Sequence, residues 1–369
     1  MLDPLRGRAD ERPALDLGGR TYTYAELDRA VDGVPDADVD DVSDLAPADA
    51  LIRVCAAARR GRPVRVENPA ARPARTWIPD AAFLLVATSG STGAPRPLAR
   101  TAASWYDSFP AFTRLTGIEP TDRVLLTGPL HATMHLFGTL HALWRGACVT
   151  DDAARATVAH AVPAILREIV TAATELRTAI VAGIALDEGA VAAARGVRII
   201  EYYGSAEVSL VAARCVPEPL RLFDGVRARV RDGLLFVRSG YTVLGGPTWH
   251  PVGDLAELGP DGTLRVRGRG DGVINVGGTT VVAEDVERIL GGLDGIAAVA
   301  VVGAPHPVFG EIVTAALELD ETRELALVRS AARGLFTKEA MPRRWVAVSA
   351  LPRTASGKVA RGHLKNMLV

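Results

Sequence analysis

Ala82-Phe-Leu-Leu-Val-Ala-Thr88-Ser-Gly-Ser-Thr-Gly93-Ala-Pro-Arg96 is the stretch that decides how the chain is read. Its first half is continuously apolar and predicts a buried strand. The strand runs straight into Thr88-Ser89-Gly90-Ser91-Thr92-Gly93, where two glycines let the backbone approach a ligand and the hydroxyl residues supply donors. A loop leaving a strand also presents backbone N–H groups to an anion. The segment therefore reads as a phosphate cradle, with a plain Ser/Gly turn as the alternative. It does not fit the GxxxxGK[ST] nucleotide loop, because the spacing differs and no lysine follows.

Upstream, Thr23 followed three positions on by Glu26 predicts a capped helix start, the acidic run from Asp32 to Asp49 a loop, Ala46–Arg60 a helix and Pro63–Glu67 a strand. Downstream to about residue 205, helical stretches alternate with short strands at Arg123, Ala179 and Arg198, the pattern of a layered α/β domain. From about Arg227 to Val266, short strands separated by Asp-Gly turns make a β-rich section. After Gly268 a small α+β unit is expected, with helices at Ala283–Leu290 and Glu324–Phe336 and a strand at Ala297–Val302.

The 369 residues carry a formal net charge of −1, with 48% hydrophobic and 23% charged residues, which excludes a disordered chain and gives no global basic footprint for nucleic acid. No apolar run is long enough for a membrane span, and the charged first residues lack a secretory core. Three scattered cysteines suggest a cytoplasmic protein with ordinary thiols. Among 42 basic residues only Lys338, Lys358 and Lys365 are lysines. Arginine is the default cation here, so a lysine marks a position where a planar guanidinium would not serve.

Three more segments carry chemistry. Glu201-Tyr-Tyr203-Gly204-Ser-Ala-Glu207 delivers an aromatic ring placed to stack a base and an acid suited to a hard cation; core tyrosines and a solvated glutamate are the alternative. Gly253-Asp254 puts an acid on a turn at a strand start, where it can accept two hydrogen bonds from a ribose diol, with Arg269 adding a second polar contact. Leu351-Pro-Arg-Thr-Ala-Ser-Gly-Lys358 places a rare lysine after a Ser-Gly turn, either as a point charge between two anions or as part of a basic tail.

In order and type, these segments resemble the motifs of the adenylate-forming superfamily: acyl-CoA synthetases, peptide-synthetase adenylation domains and firefly luciferase. Thr88–Gly93 looks like the T-S-G-[ST]-T-G phosphate loop, Tyr203–Glu207 like Y-G-x-T-E, and Gly253-Asp254 like the ribose-binding GD. Gly268-Arg269 with Asp271 resembles the GRxD hinge, Gly277-Gly278 with Glu284, Asp285 and Glu287 the following helix motif, and Pro352–Lys358 the P-R-T-x-S-G-K motif. The resemblance implies an α/β fold: a large layered N-terminal domain with a β-rich subdomain (1–267) and a small mobile α+β C-terminal domain (268–369).

It also implies a two-step ligase. A carboxylate attacks the α-phosphate of ATP with Mg²⁺, and coenzyme A, or an acyl carrier protein, then displaces AMP. Thr88–Gly93 would hold the phosphates, Glu207 the Mg²⁺, Asp254 and Arg269 the ribose, Tyr203 the adenine and Gly183 its backbone wall. Lys358 would bridge carboxylate and α-phosphate, and Gly277-Gly278 would replace it for the thiol step. The pocket segment Pro129-Leu-His131-Ala-Thr-Met-His135 offers two histidines and no acid, which argues against an α-amino acid and favours a fatty or aryl acid, o-succinylbenzoate being a specific rival. Met134, Leu136, Phe137, Leu140 and Trp144 either line that acid's apolar surface or form a helix core. The chain departs from the family pattern at Pro95-Arg96-Pro97, where Pro-Lys-Gly is usual, and at Ala206, where Thr is usual. A degenerate adenylate-binding protein without turnover is the reading these departures raise.

Overall fold

Six parallel strands form the spine of the molecule: Pro13–Leu17, Cys148–Thr150, Arg123–Leu125, Val158–Ala161, Thr178–Val181 and Arg198–Ser205, adjacent in that order. Their middle residues are buried on both faces and mostly apolar, His160 and Glu201 being exceptions, as a helix-covered parallel sheet requires. Antiparallel strands close its two edges, Arg20–Thr23 on one side and Ser209–Cys215 with Arg221–Leu222 on the other. The computed structural model describes residues 3–73, 78–87, 95–183, 186, 188–269, 272–276, 279–320, 324–354 and 359–368.

Local rules explain much of the opening section. Thr23 caps the helix Tyr24–Asp32: its Oγ1 accepts from the Glu26 N–H at 3.2 Å, and Glu26 accepts from the Thr23 N–H at 2.8 Å. Pro47 begins the helix Pro47–Arg60, and Gly61, in the left-handed region, ends it. The acidic run is not all loop: Asp40–Asp41 pairs in parallel with Val64–Arg65 and brings Val42 into the core. That pair continues through Leu84–Ala87, the expected strand before the phosphate loop, which pairs with Pro97–Arg100 on the loop's far side. Pro97 heads that strand, a position where its missing N–H is tolerated.

The β-rich section is one antiparallel sheet, Arg227–Arg231, Leu234–Arg238, His250–Leu258 and Leu264–Arg269. Its last strand stays paired through Arg269, opposite Asp254. The C-terminal unit is a separate sheet with its own apolar cluster around Val286, Leu290, Val301, Val313 and Leu317. Two sequence expectations change there. The strand expected at Ala297–Val302 is one arm of a long hairpin, Ile296–His306 with Gly310–Leu319. The helix expected at Glu324–Phe336 is only Leu325–Ala331, followed by turns that include the left-handed Gly334. Among the described residues no helix is long and apolar enough to cross a membrane.

Candidate active site

In an open α/β sheet, ligands collect beyond the carboxyl ends of the parallel strands. Three of four adjacent strands here lead into sequence-nominated segments, Arg123–Leu125 towards Pro129–His135, Thr178–Val181 into Gly183 and Arg198–Ser205 into Tyr203–Glu207; the fourth, Val158–Ala161, leads into Val162, which the sequence did not single out. Gly183 takes φ +96, and Val162 lies against it. Leu186, just beyond, donates its N–H to Glu201 Oε1 at 3.2 Å, and Arg214 pairs with the same carboxylate. Glu201 thus holds Leu186, a role no sequence signal announced.

Tyr203 and Asp254 meet directly. The phenol donates to Asp254 Oδ2, and the carboxylate is 7% exposed. Asp254 lies within the strand His250–Leu258 rather than at its start, where the pairing register shifts between Leu255 and Ala256. Arg269 is its cross-strand neighbour; only the backbone of Arg269 is described. Asp254→Ala is expected to weaken ATP binding by about 1.5–3 kcal/mol, the worth of a buried charged hydrogen bond, in a protein that still folds. Tyr203→Phe, which removes the positioning hydroxyl alone, should cost less. Calorimetric titration with ATP tests both, and an unchanged dissociation constant in Asp254→Ala would remove this acid from the site.

The turn after Tyr203 is tight because position 204 is glycine. A Cβ there would lie 1.9 Å from the Ser209 carbonyl oxygen. Ser205 and Ser209 face each other across the turn, Ser209 taking φ +57, and Val208 is fully buried beneath it. Arg100, 1% exposed, fastens the loop: its guanidinium donates to the Ala206 carbonyl at 2.5 Å and to the Tyr241 carbonyl. Burial pushes Arg100 down to about 9, against the favourable field of Glu207. Glu207 itself accepts from Arg96 Nη2 at 2.7 Å. The residue at the family's usual lysine position therefore sits on the proposed magnesium ligand, joining the two ends of the site.

His135 begins the buried part of the helix Thr133–Arg145, and its ring lies against the Gly128 backbone, where a Cβ would come within 2.3 Å of Nε2. Thr127 spends its hydroxyl proton on the His160 carbonyl, so at 3.4 Å it can only accept from His135 Nδ1. That leaves His135 Nε2 as the bare nitrogen. Burial, aided by nearby His131, lowers His135 to about 4; burial and then His135 lower His160 to about 3. His131 is half-buried and shifted the same way by burial.

Both folded values lie below the ordinary imidazole range, so the unfolded chain binds more protons as pH falls below about 6.5. Stability is complete above that pH and lost towards the folded values. At pH 5 the loss is about 2 kcal/mol for each histidine. Thermal denaturation from pH 7.5 to 5 should show this fall, and His160→Phe should make it shallower, the rest coming from His135 and the fully buried His141, which burial also lowers; an equally steep profile in the variant would refute the assignment.

The same helix resolves one sequence alternative. Leu136, Phe137 and Leu140 are core, with Phe137 in edge contacts to Trp105, Phe109 and Phe112 at 5.1–5.5 Å. Trp144 packs on Phe109 under Arg6. The phosphate loop Thr88–Gly93, Asp271, Gly277, Gly278 and Lys358 lie outside the described residues.

With this geometry in view, comparison with known proteins is informative. The model of the AMP-binding enzyme family matches residues 36–269, and that of the AMP-binding enzyme C-terminal domain matches residues 285–358. An uncharacterized acyl–CoA ligase, YhfT, of Bacillus subtilis (strain 168) is 28% identical over 349 residues, covering 82% of this chain and 72% of its own. ATP-bound MatB from Rhodopseudomonas palustris shares the fold with a TM-score of 0.86 at 19% identity, covering 98% of this chain and 97% of that one. The o-succinylbenzoate CoA synthetase MenE from Bacillus subtilis, in complex with the acyl-adenylate OSB-AMP, does so at 0.86 and 20% identity, covering 99% and 98%. With over half its length under the family model, the chain belongs to the AMP-binding, adenylate-forming enzymes.

Proposed function

We propose that this chain is an acid–thiol ligase that converts a carboxylic acid to its adenylate with ATP and then to a thioester of coenzyme A. The observation that carries this reading is the convergence of the Tyr203–Asp254 pair and the Arg96–Glu207 pair beyond the carboxyl ends of the parallel strands. The first half-reaction needs charge neutralisation around a crowded phosphate more than acid–base work.

The residues present fit Mg²⁺. Among the described residues no group of three or more ligating side chains is arranged around one point, and Mg²⁺ on a nucleotide asks for no such cage. It asks for one or two carboxylates, and Glu207 supplies one, paired with the largely exposed Arg96. When bound, the ion neutralises phosphate charge. Arg96 would then have the triphosphate as its natural partner, Asp254 with Arg269 would hold the ribose, and Tyr203 the adenine. Lys358 bridges the acid's carboxylate and the α-phosphate. Rotation at Asp271 of the domain 268–369 against 1–267 exchanges Lys358 for Gly277-Gly278 before the thiol step.

The acid meets the site on the His131–His135 side. That segment bears no carboxylate to hold an α-amino group, so a fatty or aryl acid is the class we assign. We place the protein in the cytoplasm, where its free cysteines Cys55, Cys148 and Cys215 stay reduced. A pyrophosphate-release screen over a panel of carboxylic acids, o-succinylbenzoate and amino acids included, tests the reading, with coenzyme A and acyl carrier protein compared as acceptors. Turnover with a fatty or aryl acid and coenzyme A is expected. No pyrophosphate release with any acid would overturn the proposal in favour of an adenylate-binding protein without turnover.

A further inference from the structure

Two neighbouring strands of the β-rich sheet, Arg227–Arg231 and Leu234–Arg238, take no part in the chemistry above. Their residues alternate between two faces. Ala228, Val230, Leu235 and Val237 pack on the core. The other face carries arginines in register: Arg227 stands opposite Arg238, Arg229 opposite Phe236 and Arg231 opposite Leu234. Arg227, Arg231 and Arg238 are exposed. Among the described residues none of these four arginines forms an ion pair. Between positions 227 and 238 the sequence has one acid, Asp232, and it lies in the turn. Asp224, just upstream, is held by Arg114 at 2.7 Å.

Like charges opposite one another on adjacent strands repel, and Arg227 and Arg238 stand so with no carboxylate paired to either. Arg229 is fixed in place by aromatic rings. Its guanidinium carbon lies 4.2 Å from the centroid of Trp249 and 5.6 Å from that of Phe236. Phe236 is opposite Pro251, so the strand His250–Leu258 extends the same face. His250, between Trp249 and Pro251, turns to the other side, where the charges of Glu207 and Arg96 reach it. The arginine face thus borders the candidate active site across a single strand.

We propose that this face is the docking surface for a small acidic protein that presents the acceptor thiol. The proposal rests on the ligase reading for what the partner brings; coenzyme A remains the small acceptor. Charge complementarity names the partner: four unpaired cations are concentrated on one face of a chain whose formal net charge is only −1. Arg227, Arg229 and Arg231 repeat at about 7 Å along the strand, and carboxylates one turn apart on a helix lie at about 6 Å. An exposed sheet face suits a macromolecular surface, whereas small ligands are held in concave sites. Trp249 and Phe236 are covered by Arg229 and only partly exposed, so they do not project as a membrane-inserting pair would.

The test uses the full chain, the double variant Arg227→Gln/Arg238→Gln and a control of equal charge, Arg167→Gln/Arg195→Gln, on exposed positions elsewhere. The probe is an acyl carrier protein bearing its phosphopantetheine thiol. Interferometry reads its binding without any turnover, and thioester formation from chemically supplied acyl-adenylate reads transfer to the carrier and to coenzyme A. Wild type should bind the carrier, and raising salt from about 50 to about 300 mM should weaken that binding. The face variant should raise the dissociation constant, and KM for the carrier, on the order of tenfold. The control should stay within about twofold, as isolated surface charges do. The face variant's KM for coenzyme A and its melting temperature should match wild type. No carrier binding by wild type, or equal weakening in both variants, would overturn the proposal. So would a face variant whose KM rises for coenzyme A and not for the carrier, and so would binding to anionic phospholipid vesicles with none to the carrier. A wild-type chain that activates no acid would fail the ligase reading instead, and the binding measurements would still decide the docking surface.

Discussion

Replacing Lys358 by arginine is expected to abolish most of the first half-reaction while sparing the second. A bridge between a carboxylate and an α-phosphate needs a compact charge, and the guanidinium is broader, planar and differently hydrated. Loss of one preorganised charge-stabilising donor costs about 10²–10³-fold in rate. Lys358→Ala should show the same first-step loss, and it should spare the second step if, as proposed, the lysine leaves the site before thiol attack. The arginine variant is the sharper test, because this chain accepts arginine at nearly every other basic position. Pyrophosphate exchange measures the first step, and thioester formation from supplied acyl-adenylate measures the second. Wild-type exchange in Lys358→Arg would sink the catalytic assignment and, with it, the reason for a lysine at that position.

Gly204→Ala should be comparably damaging by a different route. The new Cβ would meet the Ser209 carbonyl at 1.9 Å, a backbone atom that cannot swing away. Ser209 already occupies the left-handed region, so the hairpin has little slack. Relief requires opening the pair Gly204–Leu210, which shifts Ala206 off Arg100 and Glu207 off Arg96. A destabilisation of about 3 kcal/mol and a loss of ATP affinity on the order of 10²-fold are expected. Thermal denaturation and nucleotide titration measure the two. A variant with wild-type values in both would mean that the turn does not have this register.

What the sequence disclosed depended on the range of the interaction. The Thr23–Glu26 box is decided within a few residues and stands where the sequence placed it, and the helix expected at Ala46–Arg60 begins one residue later, at Pro47. The motif residues Tyr203, Glu207 and Asp254 were legible as chemical types at fixed spacing, whereas their pairing was not: Tyr203 and Asp254 are 51 positions apart, and Glu207 and Arg96 are 111. Arg100 was invisible for the same reason. Its carbonyl partners lie 106 and 141 positions away, and nothing about an arginine at a strand end announces full burial. The long hairpin at Ile296–His306 was cut short in the sequence because Gly303 and Pro305 look like breakers; paired with Gly310–Leu319, they sit inside it. The alanine-rich 325–336 stretch has helical composition, but Gly334 and the surrounding turns end the helix early.

The first strand, Pro13–Leu17, has a consequence for how the chain is made. It docks beside Cys148–Thr150, and Gly18 donates to Asp151, 133 positions further on. Tyr24 reaches the carbonyls of Leu143 and Ala147 in the same region. During synthesis this hairpin leaves the ribosome long before the strand that receives it, and it waits with an unpaired edge and apolar residues exposed. Such non-local pairing slows folding, and a waiting edge can be captured by another chain. The capping box at Thr23, which forms locally, gives the nascent segment early order, and Arg12 and Arg20 keep charge near its edge until the partner strand arrives.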